Sequence, residues 1–285
     1  MKKFLECFAW ILIAAGVIVA AIEAGKGPEL RMTWRRAVMD GSRTGVQGVT
    51  PSNQDTALGS FEDDGYVAPN GTVFKNGSTP EVAALLSEVQ PKMAGLKARV
   101  GYCPEEMVAK GPESGLSNML VDQLRLEGER LWKVPMDFAL CNFGGIRCSM
   151  PQGDVMLDDI LSMFPFRNSV VYAKVRGAKL RELFEFLAAT KIQCISGARI
   201  VVKDHKLVSA EIGGKPIDDK KLYNVTTIDF LLGGGDRIAI GAMAEDVKLS
   251  TVLIKDFMLR YFDKLQAEGK PIEYSKDGRV TILED

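Results

Sequence analysis

From about Gly101 onward the apolar residues follow two rhythms in alternation. Leu116, Met119, Leu120 and Leu124, with Gln123 among them, fall at helical spacing, as do Leu180, Leu183, Phe184 and Leu187. Each set marks one face of a helix. Between and after them Met136 to Cys141, Arg199 to Lys203, Leu207 to Ile212 and Tyr223 to Ile228 read as strands, with a turn at Gly213-Gly214. A last helix covers Val252 to Leu265. The alternation predicts a mixed-sheet α/β domain of the α+β kind over residues 101–285.

The first hundred residues have a different texture. From Gly27 to Ser78 the chain is rich in Gly, Ser, Thr, Asn and Asp with weak periodicity, so residues 27–100 read as an irregular extension carrying one helix. Asn70-Gly71, between Tyr66-Val67 and Thr72-Val73-Phe74, has the composition of a hairpin turn. Ser78-Thr79-Pro80-Glu81 supplies capping hydroxyls, an early proline and an acid, and opens a helix through Ala83, Leu86 and Val89, with a kink expected at Pro91. Residues 1–26 carry Lys2 and Lys3, an uncharged apolar run from Cys7 to Ile22, and small residues before Gly25-Lys26-Gly27. That is the layout of a signal peptide or an uncleaved signal anchor, and either form implies export to a periplasmic or extracellular space.

Composition narrows the chemistry. A length of 285 residues with 46 % hydrophobic content supports a proper core, and a net charge of −1 with interspersed lysines and arginines leaves no basic stripe for nucleic acid. Cys103, Cys141, Cys148 and Cys194 form no C-x-x-C pair and read as buried thiols. The single His, His205, lies in a polar Lys203-Asp204-His205-Lys206 turn. Neither a G-x-S-x-G elbow nor a Walker loop occurs.

Two stretches do carry binding chemistry. Asp137 to Arg147 is an apolar strand that stops at Asn142, followed by Gly144-Gly145, which let backbone approach a ligand, and by Arg147, which can grip an anion. About ninety residues later the strand ending at Ile228 leads to the aromatic face of Phe230 and then to Gly233-Gly234-Gly235-Asp236. Together they outline a nucleotide pocket.

These stretches resemble the C-terminal, substrate-binding domain of the 5′-nucleotidase and UDP-sugar hydrolase family. The likeness runs from about Tyr102 to Ile240 through five motifs in the family's order: Glu113 to Asp122, Asn142-Phe-Gly-Gly-Ile-Arg147, Gly153-Asp154 with Phe164-Pro-Phe166, Ser196-Gly197, and Phe230 to Asp236. The resemblance implies that Phe166 and Phe230 sandwich a base and that Asp236 accepts from the ribose hydroxyls. It further implies that Asn142 and Arg147 hold the ribose or phosphate side and that Gly197 presents backbone near the base. Lys110 stands where the family usually has Arg, a point charge in place of a bidentate fork. Asp154, Asp158 and Asp159 read as the cap and first turn of the next helix.

In that family hydrolysis belongs to a separate metallophosphatase domain with two metal ions. The chain therefore reads as an exported nucleotide-recognition half that binds no cofactor of its own, with divalent metals expected on a separate metallophosphatase partner. The alternative is a nucleotide-binding or scavenging module without an enzymatic partner. Contact with a membrane is expected only if the N-terminal segment stays uncleaved.

Overall fold

The computed structural model describes residues 44–48, 53, 56–62 and 65–283. The N-terminal apolar run lies outside the described residues. Among the described residues no helix is long and apolar enough to cross a membrane. The chain divides into two compact units, one up to Ser87 and one from Glu88.

In the first unit, β1 (Ser60–Glu62), β2 (Gly65–Val67) and β3 (Val73–Phe74) form a small antiparallel sheet in that order. The expected hairpin forms: the Asn70 carboxamide oxygen accepts from the Thr72 N–H at 3.0 Å, and Gly71 takes the left-handed φ of 84° that glycine tolerates without cost. Tyr66 stacks on Phe74 across the strands, with ring centroids 6.0 Å apart. Helix α1 (Ser78–Val89) follows, and its Val82, Leu85 and Leu86 are exposed. Pro91 does not kink this helix. The α-helix stops at Val89, and Pro91 instead occupies the first turn of a 3-10 stretch, Gln90–Lys97. Proline has no N–H to continue the i to i−4 ladder but suits a first turn, where that donor would be unpaired anyway.

The second unit begins earlier than the expected domain, because β4 (Arg99–Cys103) pairs antiparallel with a later strand. Helix α2 (Gly115–Trp132) is capped by Ser114, whose hydroxyl accepts from the Ser117 N–H. Its predicted stripe of Leu116, Met119, Leu120 and Leu124 is fully buried. Each such side chain contributes roughly 1.5–3 kcal/mol. Then come β5 (Phe138–Cys141), β6 (Gly153–Met156, the partner of β4), α3 (Leu157–Met163) and β7 (Ser169–Arg176). Helix α4 (Gly177–Ala189) buries Leu180, Leu183, Phe184 and Leu187 as expected. After it run β8 (Cys194–Ser196), β9 (Ala198–Lys203), β10 (Lys206–Ile212), β11 (Lys215–Pro216) and β12 (Leu222–Ile228). The chain closes with short α5 (Asp229–Leu232) and α6 (Ile240–Met243), β13 (Ala244–Leu253), α7 (Ile254–Ala267) and β14 (Val280–Leu283).

The central sheet has the order β13-β7-β12-β5-β8. Only β12 and β5 are parallel, and the other neighbours are antiparallel, so the mixed α/β architecture is as expected. A second sheet, β11-β10-β9-β14, brings in the C-terminal strand parallel to β9. That closure explains Glu113. Its carboxylate accepts from the backbone N–H groups of Asp277, Gly278 and Val280 and from the Asn118 amide, so it pins the turn before β14. Of the three aspartates read as a helix start, Asp159 caps α3 by accepting from the Met156 N–H and Asp158 lies in its first turn. Asp154 does neither. It sits on β6 and pairs with Arg99 across the strand couple. Cys103, Cys141 and Cys194 are buried free thiols, whereas Cys148, on the loop after Arg147, is exposed.

Candidate functional site

Topology alone converges four segments on one end of the central sheet. The parallel strands β5 and β12 end there, at Cys141 and Ile228, while β7 and β8, antiparallel to them, begin there at Ser169 and Cys194. The residues just beyond these strand ends are Asn142, Asp229-Phe230, the Phe164-Pro165-Phe166 turn and Gln193.

Asn142 is the buried centre of this cluster, 5 % exposed. Its Nδ2 donates to the Asp236 carboxylate at 2.9 Å, across 94 residues of sequence. Since a carboxylate cannot face the amide oxygen, this bond fixes the amide's orientation and leaves Oδ1 buried without a donor. An orphaned buried acceptor costs about 1–3 kcal/mol, so the arrangement favours a ligand that brings an N–H or O–H to it. The glycines after Asn142 have a steric reason. A Cβ at Gly144 would stand 3.3 Å from Nδ2 and one at Gly145 3.1 Å from Oδ1. The turn itself is tied down by the Phe143 N–H donating to Gln193 Oε1 at 2.9 Å. No motif in the sequence singles out Gln193.

Two phenyl rings stand open beside this centre: Phe166 is 45 % and Phe230 42 % exposed. Ser169 Oγ donates to Asp229 Oδ2 at 3.0 Å and so ties together the two segments that carry them. The Arg147 guanidinium lies 5.8 Å from the Phe166 ring centroid, and the Arg147 N–H donates to the Met163 carbonyl, which holds the strand end against α3. Phe230 lies flat against Gly235, where an added Cβ would come within 2.4–2.5 Å of three ring atoms. Beyond it Gly234 has φ 102°, and Asp236 and Arg237 follow at 52° and 62°. Left-handed backbone at two successive side-chain-bearing residues costs about 1–3 kcal/mol each and clusters at functional turns.

The structure thus brings together five of the seven expected residues: Asn142, Arg147, Phe166, Phe230 and Asp236. The other two lie elsewhere. Gly197 follows β8, whose register with β5 pairs Ser196 with Ala139, so Gly197 reaches the opposite end of β5 from Asn142. It packs there on the Asp137 carbonyl at φ 77° and lines a cleft with Asp122, Arg125 and Arg279. Lys110 lines a separate groove of about 890 Å³ with Glu105, Glu113 and Glu273. His205 is exposed on a left-handed turn between β9 and β10, and among the described residues no group of three His, Cys, Asp or Glu side chains could hold a metal ion. The described residues do not fit a di-metal centre.

The profile of the 5′-nucleotidase C-terminal domain matches residues 97–244, just over half of the chain. The chain belongs to the 5′-nucleotidase C-terminal domain family. Among its relatives, Protein UshA of Escherichia coli K12 is 32 % identical over 173 residues, which cover 55 % of this chain and 31 % of that protein. The 5′-nucleotidase of Vibrio cholerae is 31 % identical over 105 residues, 35 % of this chain and 19 % of that one. The chain thus spans less than a third of the length of these curated relatives. In fold it is similar to the crystal structure of the 5′-nucleotidase precursor from Thermus thermophilus, with a TM-score of 0.64 at 23 % identity, covering 76 % of this chain and 45 % of that one. The family match covers all five clustered residues, together with Lys110 and Gly197.

Proposed function

We propose that this chain is the nucleotide-recognition part of a 5′-nucleotidase system. In this reading Phe166 and Phe230 take the faces of a base, Asp236 accepts from the ribose hydroxyls, Asn142 Oδ1 takes a ligand donor, and Arg147 meets phosphate. The observation that carries it is the convergence of two exposed phenyl rings on buried Asn142 and on the exposed Asp236 carboxylate that it bonds, at one end of the sheet. Flat rings recognise any base through its π face, whereas a buried acceptor without a donor asks for a polar group beside it. The N-terminal layout of charge, apolar run and small residues supports export to a periplasmic or extracellular space, with the segment acting as signal peptide or anchor. Hydrolysis falls to a separate metallophosphatase carrying divalent metals, because one exposed His cannot supply the imidazoles of a di-metal site. Binding energy held on this half then orients the phosphate toward metals on the other, which is the entropic gain of positioning a reactant.

Calorimetry with nucleosides and nucleotides tests the pocket: Phe166→Ala or Phe230→Ala weakens binding by roughly 1–3 kcal/mol. Unchanged affinity in both variants overturns it. Phosphate release tests the division of labour. The chain alone, with divalent metal added, is expected to be inert toward nucleoside monophosphates, and turnover by it at enzyme-like rates would overturn the division.

A further inference from the structure

A cavity of about 260 Å³ adjoins the clustered residues and has Gly144 and Asp236 in its lining. Its lining joins apolar Phe186, Leu187 and Ile238 to a set of side-chain donors. Gln193 is only 5 % exposed, and because its Oε1 is taken by the Phe143 N–H, its NH₂ group faces the other way. Among the described residues no acceptor takes that NH₂. Lys191 and Arg237 also line the cavity, and among the described residues neither has an ion-pair partner. Several other arginines find acids: Arg130 and Arg260 meet Glu127, Arg176 meets Glu245, and Arg279 meets Asp122. Arg237 instead rests with its guanidinium 5.8 Å from the centroid of the Phe186 ring, held there by its left-handed backbone. The wall therefore carries two cations and a buried amide donor against the single carboxylate of Asp236, one oxygen of which is engaged by Asn142.

We propose that this cavity is an anion subsite for a phosphate on the 2′ or 3′ oxygen of the ribose. The inference rests on the nucleotide reading above: a ribose whose hydroxyls meet Asp236 has its 2′ and 3′ oxygens at the boundary shared by pocket and cavity. A substituent on either oxygen passes Asp236 and enters the space lined by Gln193, Lys191 and Arg237. The volume is several times the roughly 30 Å³ share of a liquid water, so a phosphate fits with water to spare. Its free oxygens are the acceptors that the three donors lack, and the guanidinium fork matches them in pairs.

The test is calorimetry on the full chain with adenosine and its 2′-, 3′- and 5′-monophosphates. The 2′- or 3′-monophosphate is expected to bind about tenfold tighter than adenosine, the ratio that one partly exposed charge-assisted contact supports. Gln193→Glu keeps the acceptor for Phe143 and replaces the free NH₂ with a carboxylate oxygen. Arg237→Asn removes the cation with a residue that tolerates the left-handed turn. Both are expected to abolish the gain for the ribose phosphates while leaving any gain for the 5′-monophosphate in place. Adenosine binding with no gain from a 2′ or 3′ phosphate overturns the subsite and leaves the pocket standing, as does a gain that survives both variants. Failure of every ligand to bind overturns pocket and subsite together.

Discussion

Gly235→Ala isolates the role of the Phe230 ring without deleting a single group that a ligand could touch. Gly235 has an ordinary backbone conformation, so alanine brings no strain of its own there. What it brings is a methyl 2.4–2.5 Å from Cδ1, Cε1 and Cζ of Phe230, where ordinary contact begins at 3.4 Å. The ring must retreat by about 1 Å. Stacking on a base is worth roughly 1–3 kcal/mol, and a gap of 0.5–1 Å forfeits about a quarter to a half of a dispersion well. The expected loss is therefore about 0.5–1.5 kcal/mol, or roughly two- to twelvefold in dissociation constant. Since Phe230 is already 42 % exposed, moving it uncovers little apolar surface, and thermal unfolding should change little. The discriminating measurement is a double-mutant cycle by calorimetry. In a Phe230→Ala background the methyl meets no ring, so Gly235→Ala should cost nothing further. An equal cost in both backgrounds would refute the argument, because the methyl would then act through something other than the ring.

Two further outcomes follow from the same contacts. Arg147→Ala should weaken phosphorylated ligands more than the matching nucleoside, read by calorimetry on the pair, since a charge-assisted contact is lost only for the former; an equal loss would place Arg147 in the scaffold, where it already meets Phe166 and the Gly144 carbonyl. Glu127, 6 % exposed, is pushed up by burial but more strongly held down by hydrogen bonds from Arg130 and Arg260, so its folded carboxyl lies below the ordinary 4.5. Its contribution is thus fully present above that value and lost as pH falls through the lower folded one. Glu127→Gln should cost about 1–3 kcal/mol in denaturant titrations near neutral pH, with the gap to wild type narrowing below about pH 4.5. A gap that stays constant on acidification would show that packing, not charge, ties α2 to α7.

Legibility follows burial. The helical faces Leu116 to Leu124 and Leu180 to Leu187 are readable because every apolar member is buried and the 3.6-residue period survives intact. By contrast β13 carries no such signal. Its Asp246-Val247-Lys248-Leu249-Ser250 run alternates, but it lies on a sheet edge with Val247 and Leu249 exposed, so the alternation marks no buried face. At the candidate site, motifs on strand ends come together because two parallel strands deliver their C-termini to one place. Gly197 does not join them, and the reason is direction: β8 runs antiparallel to β5, so the end that Gly197 follows is the far one, while the end that Gln193 precedes is the near one. A signal for Gln193 is present in principle, since it is a lone uncharged polar residue inside Ile192-Gln193-Cys194-Ile195, a run otherwise apolar enough to be buried. A polar group in such a run must find a partner, and half of this one's hydrogen-bonding capacity goes to the Phe143 turn. The unspent half faces the cavity beside Asp236, which is why the most informative position at this site is the one that no motif contains.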